Sequence, residues 1–167
     1  MIYIYSPVSE DLVKDGEEFT SIVDKADEPV EVGDLVSMGG DRQWRVMATE
    51  SYTSESGVIC LALVIPDSEE VPDASQWTHN ILRDGEQLSF CVYRSEAGTV
   101  TYGWMMHGSV PGGKLTAYEP TEHPTLMKPG PDEWSIDAVE TFVPEVESPV
   151  FDHVYVAKLS KLEPVAA

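Results

Sequence analysis

Positive charge is what this sequence has least of. Ten Lys and Arg face thirty Asp and Glu in 167 residues, a formal charge of -20. Recognition of DNA or RNA phosphates needs clustered cations, so no direct nucleic-acid binding is expected. Docking on an anionic membrane is disfavoured for the same reason. Long apolar runs are missing too: the longest, residues 58–65, is the length of a strand and far short of a membrane span. The first residues carry neither the basic region nor the long apolar core of an export signal, so a cytoplasmic location is expected. Cysteine is scarce. Cys60 and Cys91 lie in apolar, strand-like segments and neither belongs to a C-x-x-C pair. Zinc-ribbon and thioredoxin-like sites therefore lack their defining spacing. Two reduced, buried thiols are expected, with a disulfide between them left open by the sequence.

Apolar material is sufficient. Hydrophobic residues make up 42% of the chain and charged residues 24%, proportions that fit a packed core rather than a disordered chain. The length suits one domain over residues 1–167, with possible sub-parts at 30–66 and 76–159. The patterning is mainly β, α+β at the margin. Residues 1–5 all have strand preference and need a partner if they are not to fray. Phe19, Ile22 and Val23 interrupt an acidic stretch and suit a short strand or helical turn.

From 30 to 66, three apolar runs are separated by Gly39-Gly40-Asp41 and Ser54-Glu55-Ser56-Gly57. Such spacing predicts an antiparallel meander, curled into a sheet or a small SH3-like, half-open barrel. In its middle run Trp44, Val46 and Ala48 alternate against Arg45, Met47 and Thr49, while 58–65 is apolar on both faces. Residues 66–75 form a solvated loop, and 76–82 is a candidate strand. A second hairpin is expected between 85 and 107. Its turn repeats the Tyr-x-Ser-Glu-x-Gly pattern of Tyr52–Gly57 at Tyr93–Gly98, which fits one turn type used twice. A short strand is expected at 115–118. Pro131 followed by acids, with Ile136, Val139, Phe142 and Val143 at spacings of three and four, predicts one helix near 132–142. Residues 150–159 read as a closing strand, with Val150, Val154 and Val156 on one face and Phe151, Tyr155, Ala157 and Leu159 on the other.

No chemical motif is complete. Gly108 to Lys114 has the spacing of a phosphate loop, but Leu115 stands where a hydroxyl must meet magnesium. Pro111 removes a loop N–H and Pro120 limits any following helix, so a glycine-rich connection is the expected reading. His79, His107, His123 and His153 show no metal-ligand spacing. Asp67 to Glu70 lacks the glycine and distal glutamate of a calcium loop. There is no Gly-x-Ser-x-Gly elbow, and thirty carboxylates nominate no particular pair. Accordingly, no catalytic residue, metal or cofactor is assigned, and enzymatic activity has no support in the sequence.

Aromatic and methionine side chains remain as binding material. Most belong in a core, but the Pro-rich region after residue 104 is long enough to carry function. Trp104, Met105, Met106, Tyr118, Met127 and Trp134 are its candidate partner-binding residues. Three sources account for the charge: an acid-rich proteome, a basic protein partner, or imitation of nucleic-acid charge. The expected function is a non-enzymatic interaction protein, an adaptor or assembly factor, that binds a protein with a basic or mixed-charge surface. The alternative is a nucleic-acid mimic that inhibits a DNA- or RNA-binding protein. A third class is a small-ligand-binding barrel or enzyme, which requires a concave pocket with convergent polar groups.

Overall fold

Among the described residues of the computed structural model there are ten strands and one short α-helix. The structure describes residues 2–17, 19–24, 30–83, 86–94, 100–107, 114–115, 134–147 and 149–161. The strands are β1 (Ile2–Pro7), β2 (Ser21–Asp24), β3 (Leu35–Ser37), β4 (Gln43–Ser54), β5 (Gly57–Pro66), β6 (Leu88–Arg94), β7 (Val100–His107), β8 (Lys114–Leu115), β9 (Trp134–Pro144) and β10 (His153–Lys161). They form one sheet in the order β2-β1-β5-β4-β9-β10-β6-β7, with β3 added to β4 and β8 to β9. The sheet curls into a half-barrel. At its two ends, Ile22 of β2 reaches Gly103 of β7, where an added Cβ would collide with that side chain and lie 2.8 Å from Phe90 Cε1. Only glycine allows this approach.

The mainly-β expectation therefore holds, with a curled sheet and a β6–β7 hairpin. The meander is present as β3-β4-β5, paired antiparallel in sequence. It does not close on itself; β5 goes on to pair with β1 in parallel, and β4 goes on to β9. Gly39, at φ 85, turns the chain between β3 and β4. β1 is an interior strand between β2 and β5, so every one of its residues is buried. β5 has the continuous apolar run of a strand covered on both sides: Ile59, Leu61, Leu63 and Ile65 enter one core, and Cys60, Ala62 and Val64 another.

The inner core fills the concave side of the sheet. It joins Ile2, Ile4 and the β5 residues to Leu88, Phe90, Val92, Phe142, Phe151, Val154 and Val156. Two outer clusters lie on the other face. One holds Tyr3, Tyr5, Met38, Trp44 and Val46, and the other Cys91, Tyr93, Tyr155, Ala157 and Leu159.

Four expectations are corrected. The helix near 132–142 is instead strand β9, paired with β10 along most of its length. Lys158 faces Ala138 and Leu159 faces Ile136, so Asp137 is an extra residue, a bulge. The bulge puts Ile136 and Val139 on one face although they are three apart, and both pack on the second outer cluster. Their helix-like spacing is thus a strand irregularity, and the β-branched Ile136, Val139, Thr141 and Val143 suit a pleat better than a helix.

The candidate strand at 76–82 is a 3-10 turn (Ala74–Gln76) followed by α1 (Thr78–Arg83). Asp73 caps the turn by accepting from Ser75 N, and Trp77 Nε1 donates to Pro72 O at 2.9 Å. These local bonds bend the chain before any neighbouring strand can pair with it.

Alternation in β4 breaks at Met47. Val46 faces Val64, but Ala48 faces Leu63. Trp44 and Val46 therefore enter the first outer cluster, while Met47 and Ala48 pack on the inner core. Finally, Phe151 precedes β10 and joins Val150, Val154 and Val156 in the inner core rather than facing away from them. The turn at 95–99, the residues 116–118 of the short strand and the loop 108–113 lie outside the described residues.

Candidate functional site

The sequence candidates fall as follows. Trp104, Met105 and Met106 are in β7, which pairs with β6 at Cys91, Phe90 and Ser89 respectively. Met105 is half-buried and packs against the inner core. Trp134 begins β9, opposite Lys161 and Leu115. The description of Trp104, Met106 and Trp134 covers backbone only, and Tyr118 and Met127 lie outside the described residues. Lys114 and Leu115, directly after the glycine-rich loop, are a strand on β9. A phosphate loop needs a helix start there, and these two residues are strand instead.

The two thiols do not meet. Cys60 and Cys91 are both free and buried in different outer clusters. Burial raises both, Cys91 to about 12. A protonated thiol is a poor nucleophile, so neither is poised for chemistry. His79 is buried on α1, its ring 5.7 Å from that of Trp77. Burial, helped by nearby Arg83, pushes it down to about 4. Among the described residues, no group of three His, Cys, Asp or Glu is arranged to hold a metal ion, and no helix is long and apolar enough to cross a membrane.

Polar chemistry concentrates in two knots. In the first, the Glu17 side chain is 3% exposed and is gripped by Arg42, Nε to Oε2 at 2.7 Å and Nη2 to Oε1 at 2.8 Å. Trp44 Nε1 donates to Oε2 at 3.1 Å and Lys14 N to Oε1 at 2.9 Å. Arg42 also donates to Leu12 O and lies 4.9 Å from the Trp44 ring centre. The Arg42 bonds hold the Glu17 carboxyl below its ordinary range, against the opposing effect of burial. This knot fastens the acidic loop after β1 over the first outer cluster.

In the second, Tyr52 OH donates to Glu50 Oε2 at 2.8 Å and accepts from Phe151 N at 3.1 Å. Val150 N donates to the same carboxylate at 3.0 Å. Burial, then the Glu50 charge, raises the Tyr52 phenol, so it stays a proton donor. Nearby, Arg83 binds Asp152 at 3.2 Å and Pro149 O at 3.0 Å.

Directly across the sheet from this second knot is an exposed row. Thr53 of β4 faces Val58 of β5 on one side and Val143 of β9 on the other. Directly paired residues share a face, and Thr53 points opposite to buried Tyr52. Val58 is 37% exposed, Val143 48% and Val146 43%. Glu145 N extends the ladder to Ser51 O at 3.0 Å, and Glu55, Glu145 and Glu147 are exposed. The row thus lies on the outer face, where β4 and β9 join the two halves of the sheet. No sequence pattern signals it, because Thr53 and Val143 are brought together only by the topology. Ile81 and Leu82 of α1 are a second exposed apolar pair, next to Arg83. Comparison with protein-family models, curated proteins and solved structures finds no match to this chain.

Proposed function

We propose that this is a non-enzymatic, cytoplasmic interaction protein that binds a protein with a basic or mixed-charge surface. One observation carries the reading: most of its arginines are already paired with carboxylates of the chain itself. Three of the four bind carboxylates of the chain itself, Arg42 on Glu17, Arg45 on Asp67 and Arg83 on Asp152. Three arginines are thus engaged within the chain, while exposed carboxylates such as Asp11, Asp15, Glu69, Glu70, Glu145 and Glu147 face solvent. A predominantly acidic surface speeds encounter with a basic partner and repels copies of itself. Trp104, Met105, Met106, Tyr118, Met127 and Trp134 remain proposed apolar anchors, and a Trp134→Ala variant that stays folded is expected to bind more weakly.

The test is capture from a host lysate on immobilised protein at low and high salt, with and without nuclease. A stoichiometric basic protein that survives high salt supports the proposal. Capture only of DNA- or RNA-binding proteins at low salt, reversed by added nucleic acid, replaces it with mimicry. If nothing is retained in any condition, the proposal fails.

A further inference from the structure

We propose that the outer face at the β4–β9 joint, centred on Val58, Thr53 and Val143, is the docking surface for a basic protein segment whose lysines or arginines alternate with apolar side chains. This rests on the reading of the chain as an acidic interaction protein and assigns it a place. The first ground is exposure where interior strands meet, at the turn end of β4 and β5 beside the short β4–β9 pairing. On either flank the outer face is covered, with Tyr3, Tyr5 and Trp44 buried on one side and Cys91, Tyr155 and Leu159 on the other. Between them, at the joint, Val58 and Val143 stay open to water. Neighbouring strands are roughly 5 Å apart, so the row Val58-Thr53-Val143 spans about 10 Å, enough for one or two apolar side chains.

The second ground is charge. Residues 46–66 and 129–157 contain no lysine or arginine, and the fold brings these two cation-free segments together at this joint. Exposed Glu55 sits in the β4–β5 turn beside Val58, and exposed Glu145 and Glu147 follow Val143. The surface is therefore an apolar strip with carboxylates at its ends, the complement of an alternating basic and apolar segment. A second copy of the chain would bring carboxylates against carboxylates at a net charge of -20 each, which disfavours self-association. Val58, Thr53 and Val143 lie on strands that already have partners on both sides or in the ladder, so docking is by side chains across the face.

The experiment is an NMR titration of the full chain with two short peptides of equal charge, one alternating lysine with leucine, the other lysine with serine. The lysine–leucine peptide is expected to shift amides at 53–58 and 141–147 and to bind about ten-fold more tightly than the lysine–serine peptide. Replacing Val58 and Val143 by Thr keeps the β-branch and the charge. It should lower affinity for the lysine–leucine peptide to that of the other and leave the other unchanged. Replacing Glu55, Glu145 and Glu147 by Gln should weaken both peptides at low salt. Equal affinity for the two peptides, or shifts confined to other faces, overturns this surface while the general reading stands. No binding of either peptide, together with no basic protein captured from lysate, overturns both.

Discussion

Glu17 and Glu50, the carboxylates at the centres of the two knots, are tied differently. Glu17 is sealed from water and holds an arginine with two bonds; Glu50 is half-buried and is held by a tyrosine hydroxyl and a backbone N–H. Arg83 lies near the second knot but binds Asp152. The difference follows from burial. A sealed carboxylate without a countercharge costs several kcal/mol, whereas a half-wet one is satisfied by neutral donors. A chain with ten cations and thirty acids can place arginine where burial demands it and use dipoles elsewhere.

The strongest way to break this comparison is Arg42→Met, which strands the Glu17 carboxylate against Trp44. Urea unfolding should show a loss of about 3–5 kcal/mol. Adding Glu17→Gln to that variant should recover part of it, because the uncompensated charge is then gone. A loss below about 1 kcal/mol in the single variant would mean that water reaches Glu17 after all.

Acid should separate the two regions next. His79, close to Arg83, has its proton affinity lowered from 6.5 to about 4 by burial first and Arg83 second. The unfolded chain takes up that proton first, so its contribution is intact above 6.5 and is lost as pH falls towards 4. The size is about 3 kcal/mol over that window. Glu17 is lowered from 4.5, so its contribution is intact above 4.5 and is lost only as pH falls through its folded value. Stability measured against pH should therefore fall in two stages. His79→Gln should remove the upper one and Glu17→Gln the lower; a single stage in the parent protein would contradict this.

Tyr52→Phe leaves the buried Phe151 N without its acceptor and the half-buried Glu50 carboxylate with one donor fewer. A loss of about 1–3 kcal/mol is expected in thermal or denaturant unfolding. The smallest effect is Glu50→Gln. The amide oxygen still accepts from Val150 N and Tyr52, so less than about 1 kcal/mol should go. A larger loss there than in Arg42→Met would reverse the ranking of the two knots.

How much was readable depended on how local each pairing is. β5 and β6 declare themselves through apolar runs, and the β4–β5 hairpin through its turn residues. β9 does not, because one extra residue at Asp137 converts a period of two into a spacing of three between Ile136 and Val139. The same event at Met47 moves Ala48 to the other face from Trp44 and Val46. Bulges are set by the partner strand, and the partner is far away in the chain. α1 was hidden for the opposite reason: the bond from Trp77 to Pro72 O and the Asp73 cap outweigh a strand-like composition. The charge imbalance and the scarcity of cations were visible from the start. What was not visible is the meeting of Val58 with Val143 through Thr53, since no local pattern records a contact made across the sheet.

The parallel pairings set an order of events during synthesis. Ile2 to Pro7 leave the ribosome well before their parallel partners, Ile59 to Val64. At cellular rates of translation that is a delay of roughly 3–10 s, whereas a hairpin such as β4–β5 closes in microseconds. β6 waits in the same way for β10. β2 can pair with one edge of Ile-Tyr-Ile-Tyr soon after it emerges, but for those seconds the other edge, the one β5 will cover, is bare. The next residues to emerge, 10–34, carry ten acids and two lysines. Like charge of this density beside a waiting strand edge is the pattern of a gatekeeper against pairing between nascent chains.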